Sequence, residues 1–159
     1  MIEQTLVLIK PDGVVRCLSG EIIKRFERAG LKIIGLKMMW IDKDFAGKHY
    51  QDHKDKAFFQ HLIDFITEAP VVAMVIEGVH AIENVRKMVG ETDPSKSAPG
   101  TIRGDFAHLS MAWASKQKSG GKNLIHASVN NEDAQKEIAL YFNKGEMHSY
   151  KTVHEEHTF

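Results

Sequence analysis

The chain has 159 residues, 43% of them hydrophobic, with Lys+Arg and Asp+Glu balanced at 21 each. That length suits one globular domain over 1–159 with a proper core. Zero formal charge argues against a dedicated nucleic-acid surface or an anionic membrane as the main partner, but not against a small anionic ligand. A single cysteine, Cys17, excludes an internal disulfide, and no stretch has the length of a membrane span, so a cytoplasmic protein is expected.

In chain order, Thr5 to Ile9 is a continuous apolar run, as a central buried strand requires, and Lys10-Pro11-Asp12-Gly13 stops it as a turn. Ser19 can cap a helix through Ile22, Ile23 and Phe26 that Gly30 closes. Leu31 to Ile41 reads as the second strand, and Asp42 to His53, including Tyr50, as a short helix and turn. Phe58, Leu62 and Phe65 form a helical stripe. Pro70 to Ile76 reads as the third strand, followed by a helix from Ala81 to Val89. Gly90 to Lys122 is a long irregular stretch, and loops of that length in compact domains are usually functional. The order predicts an α+β, ferredoxin-like split β-α-β sandwich: an antiparallel four-stranded sheet with helices on one face and added loops.

The most informative segment is Asn123-Leu124-Ile125-His126-Ala127-Ser128, followed after a polar turn by a helix carrying Glu137. As a strand, it puts Leu124, His126 and Ser128 on one face. Asn130-Asn131 then cap the helix, whose inward stripe is Ala134, Ile138 and Tyr141, with Glu137 at its edge. A carboxylate there needs a partner, and a histidine on the preceding strand can supply it. The pair is either a satisfied core histidine or an oriented nucleophile.

Other charges carry similar alternatives. Arg86 falls on the apolar stripe of its helix, where it must pair with a buried acid or hold an anion. Arg103, between Gly100 and Gly104, is either a solvated loop arginine paired with Asp105 or a ligand cation. Lys10 leaves a strand end, where it is either solvated or reaches a cleft. One histidine, an orienting acid, a lysine and two arginines suggest transfer of an anionic group, most simply phosphoryl. His49 and His53 are four apart but lack the glutamate of an HExxH zinc motif, and they read as surface or packing histidines. No Walker loop or GxGxxG is present.

These residues resemble the nucleoside diphosphate kinase family. The resemblance rests on the Thr5–Val14 strand and turn, Gly90-Glu91-Thr92, Pro99–Phe106 and Asn123–Ser128, in that order and across nearly the whole chain. It implies a ping-pong exchange in which His126 takes the γ-phosphoryl group of a nucleoside triphosphate and passes it to a diphosphate. Glu137 would orient His126, and Tyr50 would stand beside it. Lys10 and Asn123 would contact the ribose and phosphate end, while Arg86, Thr92 and Arg103 would bind phosphate oxygens. Phe58 would stack on the base. Mg2+ would arrive with the nucleotide, and the protomers would form a homo-oligomer, a hexamer or less often a tetramer, with a hexamer expected; with valine at 129, no direct protein ligand to the metal is expected. Two departures stand out. Val129 occupies a position where the family usually has aspartate, with Asp52 a candidate substitute. The stretch Ala107 to Lys122 is longer than usual, and its Ser115–Gly121 segment reads as an exposed loop anchored near Trp113.

Two other classes fit less well. An inactive nucleotide-binding homologue would keep Phe58 and Arg86 while losing His126 or Lys10, and all four are present. A split β-α-β nucleic-acid module would need a basic bias.

Overall fold

A computed structural model describes residues 1–159 apart from Gly120, His154 and Phe159. Four strands, β1 (Ile2–Ile9), β2 (Lys32–Met39), β3 (Val71–Val79) and β4 (Ile125–Ala127), form one antiparallel sheet in the order β2-β3-β1-β4. β1 and β2 run the same way with β3 between them, and β3 and β4 likewise enclose β1, which is the split β-α-β pattern. Leu6 to Ile9 are completely buried, in keeping with a strand covered on both faces.

The two crossover helices, α2 (Ser19–Arg28) and α5 (Ala81–Val89), share one face of the sheet. Ile22 and Phe26 of α2 and Val85 and Val89 of α5 pack there on Val7, Ile9, Met74 and Ile76. The additions to the sandwich are more than loops. Helices α3 (Lys43–His49), α4 (Phe59–Ile66) and α8 (Asn131–Tyr141) cover the opposite face, with Ala46, Ile63, Ile66 and Tyr141 on Leu6, Leu8, Ala73 and Val75.

Several local expectations change. Lys10 to Gly13 is not a plain turn: Pro11 opens a short helix, α1 (Pro11–Val15), because its fixed φ suits the first helical position. Ser19 is the first residue of α2 rather than its cap, a position held by Leu18 without a side-chain hydrogen bond. Gly30, at φ +78, does close that helix. The Gly90–Lys122 stretch contains α6 (Ile102–Phe106) and α7 (Met111–Lys116). In α7 the Ser110 hydroxyl caps the Trp113 amide and Ala114 is buried, so six residues of the 107–122 stretch form a docked helix, while Ser115 to Lys118 are exposed as expected. Trp113 itself is 56% exposed, and Gly120 lies outside the described residues. Among the described residues no helix is long and apolar enough to cross a membrane.

Candidate active site

The site begins where β1 ends. The Lys10 amide donates to the Leu124 carbonyl at 2.8 Å, extending the contact between the β1 end and the segment before β4. Leu124 has φ +70, a left-handed conformation rare for a branched apolar residue. That turn sends its side chain into the α2/α5 core with Ile125 and Ala127, so it does not share the His126 face as alternation alone predicted. The Leu124 amide donates to Asp12 Oδ2 at 3.0 Å. Gly13 is required beside it, since a Cβ there would lie 3.0 Å from the Leu124 carbonyl oxygen and 2.8 Å from Ile9 Cγ2.

This turn presents Asn123 to Lys10. Lys10 Nζ donates to Asn123 Oδ1 at 2.8 Å, and Asn123 Nδ2 donates to the Thr92 carbonyl at 2.8 Å. Burial first, then Arg103, lower the Lys10 pKa to about 8 against an opposing contribution from Asp12. Lys10 is therefore a buried cation at the mouth of the site, not a solvated strand end. Asp12 is also buried, and burial raises its carboxyl above the usual range.

Arg103 is not paired with Asp105, which binds Arg25 at 2.7 Å instead. Its guanidinium donates to the carbonyls of Asn123, Gly90, Glu91 and Ile125. A guanidinium has five N–H groups, so one, on Nη2, remains after these four bonds. Burial, then Arg86, lowers its pKa to about 10, so it stays charged at neutral pH. Arg103 thus ties the end of α5 to β4. Arg86 corrects the helical reading: it is exposed at the rim of the stripe, and among the described residues no buried acid pairs with it. It lines a cleft of about 670 Å3 with Gly90, Glu91 and Thr101. Thr92 is exposed beside the same segment.

His126, opposite Leu8 in the sheet, meets Glu137 of α8 with Nε2 2.8 Å from Oε1. Ser128 Oγ donates to Glu137 Oε2 at 2.6 Å and accepts from the Leu6 amide at 3.2 Å. Both carboxylate oxygens are therefore engaged, and the ring cannot swing freely. A carboxylate at Nε2 assigns the ring proton there, which leaves the lone pair on Nδ1. Ser128 was visible in the sequence as a residue on the His126 face, but not as a support for Glu137. The Asn130 side chain caps α8 by accepting from the Asp133 amide at 2.9 Å, as expected.

A file of rings leads away from His126. His49 lies edge-on to it with centroids 4.9 Å apart, Tyr50 is 4.6 Å from His49, His53 is 6.3 Å from Tyr50, and Phe58 is 5.9 Å from His53. Of the two readings offered for His49, packing is the one the structure shows, against Tyr50, His126 and Tyr141. Burial first, then His126, Lys10 and His53, hold its pKa well below the ordinary histidine value. Burial raises the Tyr50 phenol, whose hydroxyl has no hydrogen-bond partner among the described residues. Phe58 caps α4 instead of joining its apolar stripe, and it is 47% exposed. A cleft of about 630 Å3 beside His126 is lined by Tyr50, Asp52, Val129, Asp133 and Glu137.

Buried cations, an oriented histidine with a free ring nitrogen and an exposed aromatic on an α+β sandwich define a group-transfer enzyme for an anionic substrate. The sequence matches the nucleoside diphosphate kinase family over residues 3–147, and the chain belongs to that family. It is 57% identical to the nucleoside diphosphate kinase of Pyrococcus furiosus over 149 residues, covering 94% of this chain and 88% of that one. The Thermococcus kodakarensis enzyme is 54% identical, covering 94% and 82%. Among solved structures, the Borrelia burgdorferi nucleoside-diphosphate kinase in a transition-state mimic with vanadate and ADP aligns with TM-score 0.95 and 42% identity, covering 99% and 96%. A Halobacterium salinarum nucleoside diphosphate kinase in complex with CDP aligns at 0.88 and 43%, covering 98% and 97%.

Proposed function

We propose that the protein moves the γ-phosphoryl group of a nucleoside triphosphate to a nucleoside diphosphate through a phosphohistidine at His126 Nδ1. The observation that carries this reading is the 2.8 Å contact between His126 Nε2 and Glu137, with Ser128 on the other carboxylate oxygen. In the first half-reaction the Nδ1 lone pair forms an N–P bond as the bond from the γ-phosphorus to its bridging oxygen breaks, and the diphosphate leaves with that electron pair. In the second, a terminal oxygen of the acceptor diphosphate attacks phosphorus and the N–P electrons return to Nδ1. Glu137 offsets the charge that develops on the ring.

The remaining roles follow from placement. Lys10 and Asn123 stand at the mouth of the site for the ribose and phosphate end, with the nucleotide's 3′-hydroxyl helping the leaving oxygen. Arg86 and Thr92 are exposed for phosphate oxygens. Arg103 offers one N–H and a charge, while its other four bonds hold the site together. Tyr50 walls the cleft beside the histidine, and Phe58 stacks on the base, whose π-face is common to all nucleotides. Mg2+ enters as part of the substrate, bridging phosphates. Leu36, Met38 and Trp40 are exposed along the edge strand β2 and its end, which supports self-association, and a homohexamer is the assembly we favour. A single domain over 1–159 acting in the cytoplasm completes the reading.

The experiment is incubation with γ-labelled ATP, removal of nucleotide, and a chase with a different diphosphate. Acid-labile label should appear on the protein and move to the acceptor, and His126→Ala should abolish both. Exchange surviving in His126→Ala would place the covalent step elsewhere.

A further inference from the structure

His49 at the end of α3, His126 on β4 and Glu137 on α8 each bring one donor atom within 4.8 Å of the others. His49 is the unexplained member. Nδ1 and Nε2 are both buried, and neither has a hydrogen-bond partner among the described residues. An unmet buried polar atom costs about 1–3 kcal/mol. Orienting His126 does not require His49, because Glu137 already holds Nε2. Two imidazoles and one carboxylate, with a cleft on the fourth side, make the donor set of an open zinc site. The same set is wrong for Mg2+, which demands an octahedron of oxygens.

We propose that His49, His126 and Glu137 form a binding site for a divalent transition ion of the Zn2+ type, which competes with the phosphoryl group for His126. Zinc bonds of about 2.0–2.2 Å bring donors within roughly 3.5 Å of one another. His126 Nε2 and Glu137 Oε1 already meet that, at 2.8 Å, and modest rotation of the partly exposed His49 closes the rest. An ion on Nε2 displaces the ring proton to Nδ1, which removes the attacking lone pair. Glu137 supplies the one directly bound negative charge; Asp52 and Asp133 line the cleft along with Lys48 and Lys136. Affinity therefore rests on the ligand bonds more than on the surrounding field. The sequence carries no zinc spacing because its three donors come from separate elements.

Calorimetric titration of the full-length, nucleotide-free protein with Zn2+ reads the site without turnover, and Co2+ in its place reports geometry by absorption. One ion per chain at this site and tetrahedral cobalt bands are expected. His49→Gln and Glu137→Gln should each weaken binding roughly 10-fold or more, since even outer-shell changes cost that much. His53→Gln, outside the cluster, should keep the parent affinity. Zn2+ added before γ-labelled ATP should prevent labelling of the parent protein but not of His49→Gln, because the ion on Nε2 moves the ring proton onto Nδ1. Unchanged affinity in His49→Gln, or an octahedral cobalt spectrum, would overturn the site. The competition arm rests on the phosphohistidine reading. Protein that binds Zn2+ through His49 yet never takes label would sink that reading and leave the metal site standing.

Discussion

Asp12 holds Leu124 in place: its Oδ2 accepts the amide of a residue whose φ is +70. Backbone strain of that kind costs of order 1–3 kcal/mol and persists only where the surroundings enforce it. Here the enforcement comes from Asp12 on the amide and from Lys10, whose amide binds the Leu124 carbonyl. The strained residue separates Asn123 from His126, so Asp12 sets where both side chains point.

Asp12→Ala should therefore destabilise the protein by about 1–3 kcal/mol, the cost of a buried amide left unpaired. Asp12→Asn keeps an acceptor and should lose less. Urea unfolding of the two variants checks this. Equal losses would show that the charge of Asp12, not its acceptor, is what matters.

Lys10 supplies a pH prediction with opposite signs for activity and stability. Its folded pKa of about 8 lies below the ordinary 10.5. The unfolded chain thus binds the proton more tightly across that window, so the contribution of Lys10 to stability rises with pH between about 8 and 10.5. Phosphate binding needs the charged form, so kcat/KM should fall above about pH 8. Lys10→Arg, which stays charged, should remove that alkaline limb. A limb unchanged in Lys10→Arg would assign it to another group.

Glu137→Gln keeps a hydrogen-bond acceptor for His126 but loses the charge. Turnover should drop roughly 10-fold to 1000-fold, about 1.4–4 kcal/mol of transition-state stabilisation, with smaller effects on substrate affinity. Steady-state kinetics separate the two. An unchanged kcat with raised KM would mean that Glu137 serves binding or packing alone.

Much of this was legible from residue pattern. The apolar run into Ile9, the α5 stripe and the Asn130 cap are local signals, and the structure keeps them. The His126–Glu137 contact was legible because strand and helix are consecutive and each periodicity fixes a face. What the pattern could not show depended on distant segments. Arg103 looked like a loop cation because its four carbonyl partners lie 12 to 22 residues away. His49 read only as surface or packing because its neighbour His126 arrives on β4, far from α3 in the chain. Leu124 broke the alternation because its left-handed turn is enforced by Asp12, 112 residues earlier.

Phe58, half exposed at the end of the ring file, predicts broad base tolerance. Phe58→Ala should weaken purine and pyrimidine nucleotides alike by roughly 1–3 kcal/mol, as loss of base–aromatic stacking does. Equilibrium titration with four diphosphates checks this. A loss confined to guanine nucleotides would point to hydrogen bonds at the base edge.

Val129 is 58% exposed on the cleft beside His126, where a carboxylate could hold water on nucleotide-bound Mg2+ and valine cannot. The metal should therefore be held by phosphates and water, without a direct protein ligand. Asp52 and Asp133 line the same cleft, but one or two carboxylates do not meet the octahedral demand of Mg2+. Val129→Asp should tighten Mg2+–ADP binding by less than about 1.5 kcal/mol, the scale of one net hydrogen bond. Calorimetric titration of both proteins at several metal concentrations separates a metal effect from a nucleotide effect, because only the former grows with Mg2+. Tight Mg2+ binding to the unmodified protein without nucleotide would overturn this account and turn attention to Asp52.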